Sequence, residues 1–148
     1  MVPQCLTASD VKHKVSSVLN RSSEFASKHM FDGRLDTCWN SDQGSPQFIL
    51  FDFGKNVIAT DLKIMFQGGF AGVDGTVEIG SALDSLTTVA NLDITDTNDM
   101  QSYSLQMINE NQDTMQNGRY LRISFPTSTD FYGRVTIYQL ELWGCEKT

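Results

Sequence analysis

No stretch of this sequence approaches the about 20 consecutive apolar residues that a membrane-spanning helix requires, so the chain is not expected to cross a bilayer as a helix. Its first twenty residues, MVPQCLTASDVKHKVSSVLN, lack a basic start followed by an apolar core and are not read as a secretory signal. Cations are scarce: 11 Lys and Arg stand against 18 Asp and Glu, for a net charge of −7. That sign repels phosphate backbones and anionic headgroups, which argues against direct nucleic-acid binding and against charge-driven docking on a membrane. Cysteines number three, an odd count, and without a secretory signal reduced thiols are the starting expectation. The two histidines, His13 and His29, form no His or Cys spacing suited to zinc. Gln67-Gly68-Gly69-Phe70-Ala71-Gly72 has neither the spacing nor the context of a phosphate-binding loop. His29 lies near Asp32 and Cys38 in sequence, but no nucleophile motif frames the three, and a hydrolase reading has little to stand on. The chain is therefore expected not to be an enzyme.

What is present reads as strands separated by turns. At 148 residues, 40% of them apolar and 20% charged, the chain fits one globular domain, 1–148, able to bury a core without metal or disulfide. Gln47-Phe48-Ile49-Leu50-Phe51-Asp52-Phe53, closed by Gly54, has the continuous apolar character of a strand buried on both faces. Leu62, Ile64 and Phe66 alternate with polar neighbours up to Gly68-Gly69. Val77 and Ile79, then Tyr103, Leu105 and Met107, then Leu121, Ile123 and Phe125 alternate likewise, with a weaker stretch at Val89 and Leu92. Val135 and Ile137 set one phase and Leu140 and Leu142 the other, so a bulge or bend is expected near Tyr138-Gln139. Helix is expected only at the margins: one turn over Ser22–Lys28 capped by Ser22, and a loop or short turn over Asn109–Gly118. Strands recurring every dozen or so residues between Gly, Asn, Asp and Pro predict an all-β sandwich or barrel.

A split signature narrows this. Phe31-Asp32-Gly33-Arg34-Leu35-Asp36-Thr37-Cys38-Trp39-Asn40 near the front and Glu141-Leu142-Trp143-Gly144-Cys145 at the end resemble the opening and closing of a discoidin (coagulation factor five/eight type C) domain. The resemblance implies an all-β, galactose-binding-domain-like jelly-roll β-sandwich that binds through loops at one end. Val15-Ser16-Ser17-Val18-Leu19-Asn20-Arg21, Cys38-Trp39-Asn40-Ser41-Asp42-Gln43-Gly44, Phe66-Gln67-Gly68-Gly69-Phe70 and Asp130-Phe131-Tyr132-Gly133-Arg134-Val135 are similar, within that superfamily, to the small nuclear-receptor-associated proteins. This closer resemblance spans residues 15–144. It implies an intracellular protein, nuclear or cytoplasmic, that binds an orphan nuclear receptor and represses its transcriptional activity. A carbohydrate-binding, lectin-like domain is the alternative.

The resemblance also supplies site residues. It points to Asp42, Gln43, Phe70, Phe131, Tyr132 and Arg134 as partner contacts, because aromatics and Arg in loops carry much of the energy of binding. The opposite reading has Phe131 and Tyr132 packed under their loop and Arg134 paired with Asp130 or Asp36. No cofactor is expected except calcium. In related carbohydrate-binding domains an Asp carboxylate, a Thr hydroxyl and loop carbonyls ligate that ion, which places it here at Asp32 and Thr37. A Glu that joins those ligands corresponds to the uncharged Gln139 here, and the other reading of the loop is a structural turn plugged into the core by Trp39. Cys5 and Cys145 stand where extracellular discoidin domains often carry a terminal disulfide, so reduced thiols and a staple of about 3–5 kcal/mol are the two alternatives. Cys38 then serves as a small hydrophobe. Asn20-Arg21-Ser22 is a glycosylation sequon, silent in an intracellular protein.

Overall fold

The apolar run that opens at Gln47 does not stop at Gly54. In the computed structural model, which describes residues 2–8, 10–107 and 112–148, it continues as one strand to Phe66. In chain order the strands are β1 (Gln4–Cys5), β2 (Lys12–Val15), β3 (Trp39–Asn40), β4 (Gln47–Phe66), β5 (Gly72–Val73), β6 (Gly75–Gly80), β7 (Thr87–Leu92), β8 (Met100–Ser104), β9 (Gly118–Phe125), β10 (Thr127–Ser128) and β11 (Thr136–Glu146).

β4 explains how one hydrogen-bonded network makes two layers. Its first half pairs with β2 on one side and β9 on the other, and β9 leads on to β6 and β7. Its second half pairs with β8 and β11, and β11 carries β1 and β3. The switch falls where the β4–β9 register slips between Asp52 and Val57, around Gly54 at φ 73°, a backbone angle glycine adopts without strain. The expected strand end is thus a bend inside one strand. Burial on both faces is also corrected: Gln47, Ile49 and Phe51 are buried, whereas Phe48 and Leu50 are only half-buried.

The core is the set of alternating residues facing inward. Ile49, Phe51, Leu62, Ile64, Phe66, Val77, Ile79, Leu121, Ile123, Phe125, Ile137, Leu140 and Leu142 form one buried cluster with Trp39. Burying each such side chain is worth roughly 1.5–3 kcal/mol, so the cluster supplies the main force that closes the sandwich. The phase change in the last strand occurs as a register shift between Ile137 and Gln139, which lets residues on both sides of it face inward. β8 is shorter than its pattern: Leu105 is buried beyond its end, donating its N–H to the Thr60 carbonyl at 2.7 Å, and Met107 is exposed. Three 3-10 turns, Leu19–Arg21, Ser23–Phe25 and Ser27–Phe31, replace the single expected turn, and the Ser22 hydroxyl does cap the second by accepting from the Glu24 N–H at 3.3 Å. Of the Asn109–Gly118 loop, residues 109–111 lie outside the described residues, and Gln112–Thr114 makes one 3-10 turn. Among the described residues no helix is long and apolar enough to cross a membrane.

Candidate binding site

Four loops meet at one end of the sandwich: 41–46 before β4, 67–71 after it, 93–99 between β7 and β8, and 128–135 before β11. Hydrogen bonds tie them pairwise. Ser41 donates its N–H to the Val135 carbonyl at 2.9 Å, and Val135 returns its own N–H to Ser41 Oγ at 2.8 Å. Gly44 donates to the Tyr132 carbonyl at 2.7 Å. Thr136 donates to the Phe70 carbonyl at 3.0 Å, and Ala71 to Thr129 Oγ1 at 3.0 Å. Gly68 and Gly69 donate to Asn98 Oδ1 and Asp96 Oδ1 at 2.6 and 2.8 Å.

Two buried polar side chains hold the first loop. Ser41 is fully buried. Gln47, 4% exposed, donates its amide to the carbonyls of Asp42 at 3.1 Å and Gly44 at 2.8 Å, and accepts from the hydroxyls of Ser16 and of Ser17, the latter at 2.8 Å. Ser17 Oγ in turn accepts the Asp42 N–H at 3.0 Å. A buried amide with all its partners met is rigid, because every displacement leaves a polar group unpaired in a poorly solvated place. Gly133 interlocks the first and last loops. It has φ 85°, and a Cβ there would lie 2.5 Å from the Gly44 carbonyl oxygen.

All six expected contact residues lie on these loops. Arg134 is the brace of the last one. Its Nε and Nη2 donate to Asp130 Oδ2 and Oδ1 at 2.9 and 3.2 Å, and its backbone N–H donates to Oδ2 at 3.1 Å. Its guanidinium sits 5.2 Å from the ring centre of Phe70 and 5.6 Å from that of Tyr132. The Arg134 guanidinium, with the backbone N–H groups, outweighs burial and holds the Asp130 carboxyl below the usual carboxylate range. Phe131 is 94% exposed and Tyr132 56%, their rings edge-to-face at 5.3 Å. The reading in which both aromatics pack under the loop is thereby corrected: the Arg134–Asp130 pair supplies the internal support, and the rings project outward. Gln43 is exposed, and Asp42 is half-buried with Oδ1 accepting the Gln43 N–H at 2.9 Å.

The Asp32 loop stands apart from these contacts. Asp32 Oδ1 accepts the Arg34 N–H at 2.9 Å, and Oδ2 accepts the Thr37 hydroxyl at 2.6 Å with His29 Nδ1 at 3.4 Å. Burial opposes ionisation of Asp32, but these donors outweigh it and lower its pKa. Gln139 donates to the Arg34 carbonyl at 3.5 Å, so a loop carbonyl and both carboxylate oxygens are already engaged. Among the described residues no group of three or more His, Cys, Asp or Glu is placed to hold a metal. The turn does bring together Asp32 and Thr37, the two residues expected at a calcium site, and closes on itself through their hydrogen bond. It fits the structural reading, with Trp39 fully buried below it and its indole N–H donated to the Ser17 carbonyl at 2.9 Å.

The remaining candidates also have structural surroundings. Burial, with the charge of Glu24, pushes the Cys38 thiol up, away from the thiolate a nucleophile needs. His29 Nε2 is turned 3.0 Å from the Ser23 carbonyl. Cys5 has a free thiol and lies opposite Trp143, not Cys145, in the β1–β11 ladder. Sequence reading missed Gln47, Ser17, Ser41, Asp96 and Asn98. The one signal available was a glutamine at the head of an otherwise apolar strand.

No family model matches the chain. Among solved structures, a chitosan-binding module from a Paenibacillus chitosanase/glucanase superposes with TM-score 0.74 at 20% identity, covering 95% of this chain and 99% of that one. The family 32 carbohydrate-binding module of Clostridium perfringens NanJ, solved with galactose, gives 0.72 at 15%, covering 96% and 99%. These fix the fold as the galactose-binding-like β-sandwich. The nuclear receptor 2C2-associated protein of Xenopus laevis is 41% identical over 145 residues, 97% of this chain and 100% of the relative. By that near-complete match the chain belongs to the nuclear receptor 2C2-associated protein family.

Proposed function

We propose that this protein is a non-catalytic, intracellular binding module that docks on a nuclear receptor through the four-loop end and lowers that receptor's transcriptional output. The observation that carries the reading is the outward pair Phe131 and Tyr132 on a turn braced by Arg134 and Asp130. Large side chains held exposed on a rigid base lose little entropy when a partner covers them. The names of the full-length relatives support a nuclear receptor as that partner. The net charge of −7 supports a mode in which the domain covers receptor surface, blocking dimerisation or DNA contact, without touching DNA itself.

The test is capture of a purified nuclear receptor of the kind named in the relatives by the wild-type chain and by a Phe131→Ala/Tyr132→Ala variant, with a receptor-driven reporter read in parallel. Retention and repression by the wild type, both lost in the folded variant, are expected. No retention by the wild type overturns the function, and equal retention by the variant overturns the placement of the surface. The carbohydrate alternative draws on the same exposed rings, since aromatic faces also stack on sugars.

A further inference from the structure

The loops that meet at the binding end are strongly one-signed. Segments 41–46, 67–71, 93–99 and 128–135 hold five aspartates, Asp42, Asp93, Asp96, Asp99 and Asp130, and one cation, Arg134, which is spent on Asp130. They carry a net −4, more than half of the chain's −7, in under a fifth of its length. Asp93, Asp96 and Asp99 are exposed. Their loop is not loose: Asp96 and Asn98 accept the N–H groups of Gly69 and Gly68, directly beside Phe70, and Phe70 lies under the Arg134 guanidinium. A fixed acidic rim therefore borders a turn that exposes two aromatic rings. The turn already shows what such rings accept, because Arg134 itself is set against Phe70 and Tyr132.

We propose that this end recognises a basic, arginine- or lysine-bearing segment of a protein partner, with a cation seated on the exposed Phe131 ring, beside the Tyr132 ring that Arg134 already faces, and further cations paired with the carboxylates of Asp96 and Asp99. The inference rests on the functional reading above and deepens it by naming the chemistry of the partner. Opposite charge supplies long-range attraction and orientation, and ring faces supply the short-range contact that a rim of carboxylates in water does not.

The probes are a fluorescein-labelled peptide alternating arginine with leucine and glycine, its glutamate counterpart, and a glucosamine tetramer as a cationic sugar. Binding is read by anisotropy, with competition for the sugar, between about 50 and 300 mM salt. The arginine peptide is expected to bind, more weakly as salt rises, and the glutamate peptide not to bind. Phe131→Ala/Tyr132→Ala should weaken binding about tenfold. Asp96→Asn/Asp99→Asn keeps the acceptor for Gly69 and should weaken it about fivefold and flatten the salt dependence. Asp10→Asn/Asp84→Asn, an equal charge change outside the four loops, should leave binding unchanged. An equal loss in that control, equal binding of the glutamate peptide, or no binding of the arginine peptide overturns the proposal. So does ring-dependent binding of the glucosamine tetramer alone, which would make the surface a sugar site. If receptor capture depends on Phe131 and Tyr132 while the peptide results fail, the basic-segment inference falls and the functional reading stands.

Discussion

Arg134 and Asp130 form a two-pronged ion pair in which the carboxylate is 10% and the guanidinium 29% exposed, and between them the chain lifts Phe131 into solvent. A fork of this geometry is stronger than a single contact and fixes orientation as well as distance. Arg134→Ala leaves Asp130 half-sheltered without its partner and removes the cation from Phe70. The expected cost is about 1–3 kcal/mol in urea unfolding. Arg134→Lys should recover only part of it, because an ammonium cannot make both prongs. Wild-type stability in the alanine variant would show the pair to be ornamental.

Gln47 makes the second prediction. Gln47→Leu keeps the volume roughly but removes the donor to the Gly44 carbonyl, one of two donors to the Asp42 carbonyl, and the acceptor for the Ser17 hydroxyl, so a loss of about 1–3 kcal/mol is expected. Receptor capture should fall as well, since the first loop loses its anchor. Gly133→Ala should mimic it from the other side by driving a Cβ into the Gly44 carbonyl. A variant that unfolds like wild type and captures like wild type would remove Gln47 from the account.

These cases show what was legible in the sequence. Period-two alternation gave the inward residues of β6, β9 and the second half of β4, because those patterns report burial directly. The phase change before Leu140 announced the bulge. The continuity of β4 through Gly54 was not legible, because a glycine between apolar runs signals a turn whether the chain stops or bends. The contact residues were visible as aromatics and Arg in turns, but which of them faced out was not. That was decided by the pairing of Arg134 with Asp130, four residues away, while Asp36 pairs with Arg34. Gln47 and the Asp96–Gly69 bond join residues 30 or so apart and leave no local pattern.

The Asp32 turn yields a test of calcium. With both carboxylate oxygens accepting protein donors, millimolar calcium is expected to leave the melting temperature unchanged. Asp32→Asn should cost about 1 kcal/mol by weakening the bonds from Thr37 and Arg34, with or without the ion. A calcium-dependent rise in melting temperature that Asp32→Asn abolishes would restore the metal reading.

Far from the loops, Asp52 offers a prediction in pH. Arg119 donates Nε and Nη2 to its two oxygens at 2.7 and 3.0 Å, and Lys12 stands 3.6 Å away. The Arg119 fork, helped by the Gly54 N–H and outweighing burial, draws the Asp52 carboxyl down to about 2. A pKa lowered on folding means that the unfolded chain binds the proton more readily. The pair therefore stabilises the fold fully above the unfolded value, near 3.8, and its contribution drains away as pH falls toward 2. Arg119 is 44% exposed, so solvent screening reduces the contribution to about 1 kcal/mol. The stability of wild type minus that of Asp52→Asn should be near that figure at pH 6, shrink below about pH 5, be mostly lost by about pH 2 and vanish below it. Taking the difference cancels the titration of Asp32 and Asp130, whose pKa values are lowered too. A difference that stays constant from pH 6 to pH 2 would mean that Asp52 contributes through its shape and not its charge.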